Sequence, residues 1–204
     1  MNYAASAARQ ISGIVALLPP SLPILNCPFL IFSVNSIPLI VTNALLGGSF
    51  GSRITSNIRE EKGYTYSPRS EISRRYHDAY WAEAADVTTE YTGASLKEIF
   101  AEIDRLAKAT PSKPELEGIE SYLSGLFVIQ NSSRGAVIGQ LRYVDFQGLG
   151  EDYLKTYVQK VNAVTPADVM KVTAQYIKAD EMTSVVVGDK AKVAEQLAPY
   201  GLQQ

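Results

Sequence analysis

The residues that could do hydrolytic chemistry in this chain are few, and most of them exclude more than they suggest. There is one histidine, His77, and one cysteine, Cys27. A catalytic zinc commonly takes two histidines from one helix plus a carboxylate, and neither His-x-x-Glu-His nor His-Glu-x-x-His occurs. The chain cannot build such a site alone. His77, beside Asp78, reads as an exposed turn residue, and a nucleophilic triad would have to use it as the base. Cys27 excludes an internal disulfide and any cysteine-based zinc cluster. The glycine-rich Leu46-Gly47-Gly48-Ser49-Phe50-Gly51-Ser52-Arg53 resembles a phosphate cradle only superficially, because no Gly-Lys-Ser or Gly-Lys-Thr follows and no strand with a ribose-binding acid fits. Its glycines serve either to let helices approach closely or to offer backbone donors to an extended peptide. The second use makes Gly47, Gly48, Ser49, Phe50 and Gly51 candidate substrate-binding residues. Taken alone, Arg59 ahead of Glu60 and Glu61 is a solvated helix end, and Tyr66 is a hairpin aromatic like Tyr64 and Tyr76.

The elements that must position these residues are mostly helical. Pro38 suits a first helical turn, and the apolar residues from Ile37 to Leu46 end at Gly47 and Gly48. A second helix follows the glycine-rich turn, with Ile54 and Ile58 on one face, Arg59 near its end and Gly63 as its stop. Between Tyr64 and Thr89 aromatic and β-branched residues alternate with polar ones, and Ser73 to Asp78 offers the turn of a hairpin. Ser95 and Glu98 form a capping box ahead of Leu96, Ile99, Phe100, Ile103 and Leu106. Pro114 opens a helix carrying Leu116, Ile119, Leu123, Leu126 and Phe127. Another runs from about Arg134 to Phe146 and closes at Gly148 and Gly150, and Tyr153 to Val161 marks the next. Thr165-Pro166-Ala167-Asp168 caps a further helix, followed by a strand from Thr183 to Val187 and a closing helix around Val193 to Leu197. Strands, then many helices, then a final strand predict an α+β fold: an antiparallel sheet with helices packed on one face.

Composition narrows the function further. With 204 residues and a formal charge of -2, the chain has no basic footprint for nucleic acid or anionic membrane. No charged residue lies between Arg9 and Arg53, yet Pro19, Pro20, Pro23, Pro28 and Pro38 break any run of the ~20 apolar residues that a membrane span needs. No span is expected. Arg9 ahead of Ile11 to Leu18 gives a faint signal-peptide pattern, although the residues before Cys27 depart from a cleavage site. Residues 1–36 therefore read as an atypical, apolar, proline-rich leader, truncated or disordered, with strand-like pieces such as Phe29 to Val34. Residues 37–204 read as the domain. Composition leaves the compartment open between bacterial periplasm and cytoplasm.

Two segments, Leu46-Gly-Gly-Ser-Phe-Gly-Ser-Arg-Ile54 and Asn57-Ile-Arg-Glu-Glu-Lys-Gly-Tyr-Thr-Tyr-Ser67, resemble the signature of the C-terminal homologous half of the pitrilysin (insulinase, mitochondrial processing peptidase) family of zinc peptidases, peptidase family M16. The resemblance extends from about Pro38 to Gly188 and includes the closing Val185-Val186-Val187-Gly188-Asp189. It implies two homologous α+β units facing across a chamber, one with the zinc motif and one without. The unit without it contributes an arginine and a tyrosine, which here fall on Arg59 and Tyr66. It implies no cofactor in this chain, zinc on a homologous partner subunit, and a peptide substrate. The hairpin could then hold that peptide as an added strand. The family also contains zinc-free members that are scaffolds of respiratory complexes, so a structural assembly protein is the alternative, and a nonfunctional gene fragment is a third.

Overall fold

The computed structural model describes residues 11–12, 16–18, 36–75 and 78–201. His77, Tyr76, Cys27 and the strand expected at 29–34 lie outside the described residues.

Helices and strands follow the predicted order closely. Helix α1, Ser36–Asn43, continues into wider π-type turns at Ala44–Gly48, and α2, Thr55–Glu61, is wound in the same wide form. Wide turns of this kind recur at functional sites. Strands β3, Arg69–Arg75, and β4, Asp78–Ala84, make the expected hairpin, with Arg75 opposite Asp78. The strands consume most of the stretch read as a turn, leaving only residues 76 and 77 between them. Helices α3 (Thr92–Lys108), α4 (Lys113–Gln130), α5 (Arg134–Phe146), α6 (Tyr153–Val161), α7 (Pro166–Tyr176) and α8 (Lys190–Leu197) follow.

Four further strands complete the sheets. β1 (Ile11–Ser12) and β2 (Ala16–Leu18) fall inside the segment set apart as a leader. β2 lies between β4 and β6 (Thr183–Val185), giving an antiparallel sheet in the order β3-β4-β2-β6. β1 pairs with β5, Val87–Thr88. The two sheets thus draw on residues 11–12 and 16–18 as well as on the later domain. These strands are two or three residues long, too short to show a period in the sequence.

The core lies where α1, α2, α3 and α7 meet the hairpin. Leu45, Leu46, Ile54, Ile58, Leu96, Ile99, Ile103, Leu106 and Ile177 are almost wholly removed from water. Each such side chain contributes roughly 1.5–3 kcal/mol of transfer free energy. The predicted cap at Thr165 is present: its hydroxyl accepts from the Asp168 amide at 3.2 Å while the Asp168 carboxylate accepts from the Thr165 amide at 2.9 Å. Ser112 and Glu115 make the same reciprocal arrangement at the start of α4.

The cap expected at Ser95 is not formed. α3 starts three residues earlier, entered through a 3-10 turn at Thr89–Tyr91, so Ser95 is inside the helix and buried. Gly93 lies in that earlier first turn, where a Cβ would stand 2.6 Å from the Gln196 carbonyl oxygen, so α8 closes directly onto the start of α3. Glu98 is turned instead toward α2, where its Oε2 accepts from Asn57 Nδ2 at 3.1 Å.

Candidate functional site

Local sequence fixes where Arg59 stands. Ile54 and Ile58 drive one face of α2 into the core, which leaves Arg59, beside Ile58, at the rim with its side chain about one quarter exposed. Gly63 ends the helix at φ 65°, in the left-handed region that favours glycine. Its amide donates to Arg59 O at 3.1 Å, and the Tyr64 amide donates to Ile58 O at 2.8 Å. The reversed chain is then fastened by the Thr65–Val87 bridge, by Thr88 N donating to Tyr64 O, and by Tyr64 stacked on Tyr91 with centroids 4.5 Å apart. Tyr66 leaves this anchored segment toward solvent.

Three of the predicted site residues come together. The Arg59 guanidinium carbon lies 4.5 Å from the centroid of the Phe50 ring and 4.9 Å from that of Tyr66. Phe50 is 69% exposed and Tyr66 81%, so one cation holds two rings that hydrophobic burial does not. Contacts of this type are worth about 0.5–1 kcal/mol each at exposed sites. Arg59 Nε also meets Glu60 Oε1 at 3.1 Å. The cluster presents a phenol hydroxyl and a planar fork of donors at one edge of the molecule.

The glycine-rich residues divide between two jobs. Gly47 is buried against the hairpin: an added Cβ would lie 2.7 Å from Ser70 Oγ and would collide with Glu83 Oε2. Gly48 is exposed, but its Cβ would strike the Asn43 side chain. Both are required for close packing. Ser49 is half-buried and its carbonyl accepts from Ser52 N at 3.1 Å, which closes the turn, whereas Phe50 and Gly51 are open to solvent.

Two features around the site have no sequence signal. Behind α2 is an open cleft of about 400 Å³ lined by charged groups from α2, α3 and α4. Arg53 Nε and Nη2 donate to the two Glu115 oxygens at 2.6 and 2.9 Å, and Asn57 Nδ2 donates to Glu102 Oε1 at 2.7 Å. Lys62 meets Glu98 at 3.6 Å, and Arg105 meets Glu102 at 2.9 Å. The Arg53 hydrogen bond holds the Glu115 carboxyl below its ordinary range, and Glu115 in turn raises Arg53. This network ties α2, and Arg53 just before it, to α3 and α4.

The second is Glu83, on β4. It is wholly buried beside Gly47 and Ser70, and neither carboxyl oxygen has a hydrogen-bond partner among the described residues. Burial pushes its carboxyl well above the ordinary range, and the Arg69 backbone, short of hydrogen-bond geometry, opposes this only in part. In the sequence it looks like one of the alternating polar residues of a half-solvated strand.

Among the described residues no group of three or more histidine, cysteine, aspartate or glutamate side chains is placed to bind a metal ion. No described helix is long and apolar enough to cross a membrane.

Helices packed on one face of an antiparallel sheet, with a cluster of hydrogen-bond donors at one edge, make an α+β domain. Residues 14–123 match the family model described as the peptidase M16 inactive domain, and the chain belongs to that family. No curated protein matches it. Among solved structures, a peptidase M16 inactive domain from Pseudomonas fluorescens is similar at a TM-score of 0.76 and 21% identity, over 87% of this chain and 41% of that one. A protease from Helicobacter pylori is similar at 0.71 and 18%, over 89% and 41%. A chain of Complex III2 from Candida albicans, bound to Inz-5, is similar at 0.65 and 14%, over 94% and 47%. The chain therefore spans about two fifths of the first two structures it resembles.

Proposed function

We propose that this chain is the substrate-binding, non-catalytic part of a zinc metalloendopeptidase, and that it presents Arg59 and Tyr66 to a zinc site held by a homologous partner. The observation that carries this reading is the stacking of Arg59 between Phe50 and Tyr66. It gathers residues from the glycine-rich turn, the end of α2 and the segment before β3 into one exposed cluster, with no core packing to require it.

The chemistry of this cluster is donation. Metal-assisted hydrolysis of a peptide leaves negative charge on the scissile carbonyl oxygen, and donors placed there in advance lower the barrier. The Tyr66 hydroxyl supplies one such donor. The Arg59 fork binds a neighbouring substrate carbonyl, and its position is set before substrate arrives by the two rings and by the fastening of α2. Phe50 and Gly51 extend the same edge for an extended peptide. The chain alone is then inactive.

Mixing the chain with a homologue carrying His-x-x-Glu-His tests this. Peptide hydrolysis is expected only in the mixture, and Arg59→Ala is expected to lower it while the mutant chain still binds the partner. A rate equal to that of the unmutated mixture would remove the assigned role.

A second reading, a zinc-free structural subunit, is favoured by the likeness to a chain of Complex III2. It predicts stable association with a membrane respiratory complex and no hydrolysis with any partner. Arg59 and Tyr66 would then tolerate substitution.

A further inference from the structure

Helix α5 is the least covered helix of the domain, and its outward face has a pattern of its own. Only Val144 is buried, while Ala136, Gln140 and Tyr143 are half-buried, with the Tyr143 hydroxyl accepting from Arg74 Nη1 at 2.6 Å. These four residues define the inner side. Opposite them, Arg134, Ile138, Leu141 and Asp145 fall at i, i+4, i+7 and i+11, which places them in one straight strip along the helix. All four are exposed, Ile138 at 66% and Leu141 at 55%. Among the described residues neither Arg134 nor Asp145 forms an ion pair. Val128 and Ile129, just before the turn into α5, and Phe146 at its end are also more than half exposed. Ile138 and Leu141 are thus neighbouring apolar side chains left in water, the kind of surface that marks interaction sites.

We propose that this strip is a self-association surface, and that its occupant is α5 of a second copy of this chain, packed antiparallel across a two-fold axis. The argument is charge complementarity. Reversing the strip about its midpoint, between Gly139 and Gln140, brings Arg134 opposite the second copy's Asp145 and Ile138 opposite its Leu141. Two-fold symmetry repeats both contacts, so the two apolar pairs meet in the centre and are closed at each end by an ion pair. A parallel arrangement would set Arg134 against itself and Asp145 against itself, which electrostatics penalises. The surface is a property of this chain's own sequence. It goes beyond the peptidase reading and does not depend on it.

Light scattering and sedimentation equilibrium of the full chain over a concentration series test the proposal. A reversible dimer is expected. Arg134→Glu alone and Asp145→Arg alone are each expected to weaken it by about tenfold or more, because each change places like charges together at both ends. The double variant R134E/D145R is expected to restore wild-type association, since it rebuilds both pairs with the signs exchanged. Ile138→Asp is expected to give a monomer, with circular dichroism reporting whether it stays folded. Because the charge variants are surface changes, they keep the test decisive even if Ile138→Asp unfolds. A chain that is monomeric at every concentration would overturn the proposal, as would single reversals that match wild type or a double variant no better than the singles. Association seen only with a zinc-bearing homologue, and lost in Ile138→Asp, would assign the face to that partner and would also overturn it.

Discussion

Helices α2 and α5 are treated in opposite ways by the same chain. α2 is seven residues long, yet it is held by Ile54 and Ile58 in the core, by Asn57 hydrogen-bonded to α3, and by Arg53 paired with Glu115. α5 is thirteen residues long and buries one side chain. The helix that carries the half-buried Arg59 is thus the more firmly held of the two. The comparison separates residues that build the site from residues that offer a surface.

The largest expected difference comes from truncating equivalent side chains on the two helices. Ile58→Ala is expected to cost about 2–5 kcal/mol, because it removes a fully buried side chain and leaves a cavity. Ile138→Ala is expected to stay within about 0.5 kcal/mol when measured by urea unfolding at concentrations where the chain is monomeric. Equal losses would erase the contrast.

Glu83 sharpens the picture from beneath the glycine-rich turn. Its folded carboxyl titrates above its unfolded value, so the unfolded chain ionises first and folding stability falls as pH rises above the ordinary glutamate range. Each pH unit costs up to about 1.4 kcal/mol until the folded group ionises as well. Glu83→Gln is expected to remove that slope above the ordinary glutamate range, as measured by chemical unfolding at several pH values. An unchanged slope would mean that another group sets it.

Two smaller effects lie away from both helices. Thr165→Ala removes the side-chain cap of α7 and is expected to cost about 1 kcal/mol, or roughly 2–4 °C in Tm for a domain of this size. Gly125, within α4, has open space where a Cβ would stand. Gly125→Ala is expected to stabilise by up to about 1 kcal/mol, which calorimetry would register as a higher Tm.

Much of the helical framework was legible because its punctuation is local. Pro166 with Thr165 and Asp168, and the positive-φ glycines Gly63 and Gly148, act within a few residues of themselves. The strands β1 and β2 were not legible: Leu17 finds its partner in Glu83, far along the chain, and so short a segment has no period to read. Ser95 and Glu98 matched a cap by spacing alone, but α3 starts earlier, at Thr92, and its first turn meets α8 at Gly93. At the site, Arg59 and Tyr66 were visible through a family resemblance. The stacking of Phe50 was not, because it joins two segments only once α2 is folded back against the turn. Glu83 was hidden for a related reason, since the alternation of its strand does not reveal that Gly47 lies over that face.

The most direct test of the central claim is Tyr66→Phe in the reconstituted pair with a zinc-bearing homologue. This change removes one exposed hydroxyl and leaves the ring that stacks on Arg59. The account predicts a fall in kcat of about 10²–10³-fold, with KM nearly unchanged and the Tm of the chain unaltered. A kcat equal to that of the unmutated pair would contradict it.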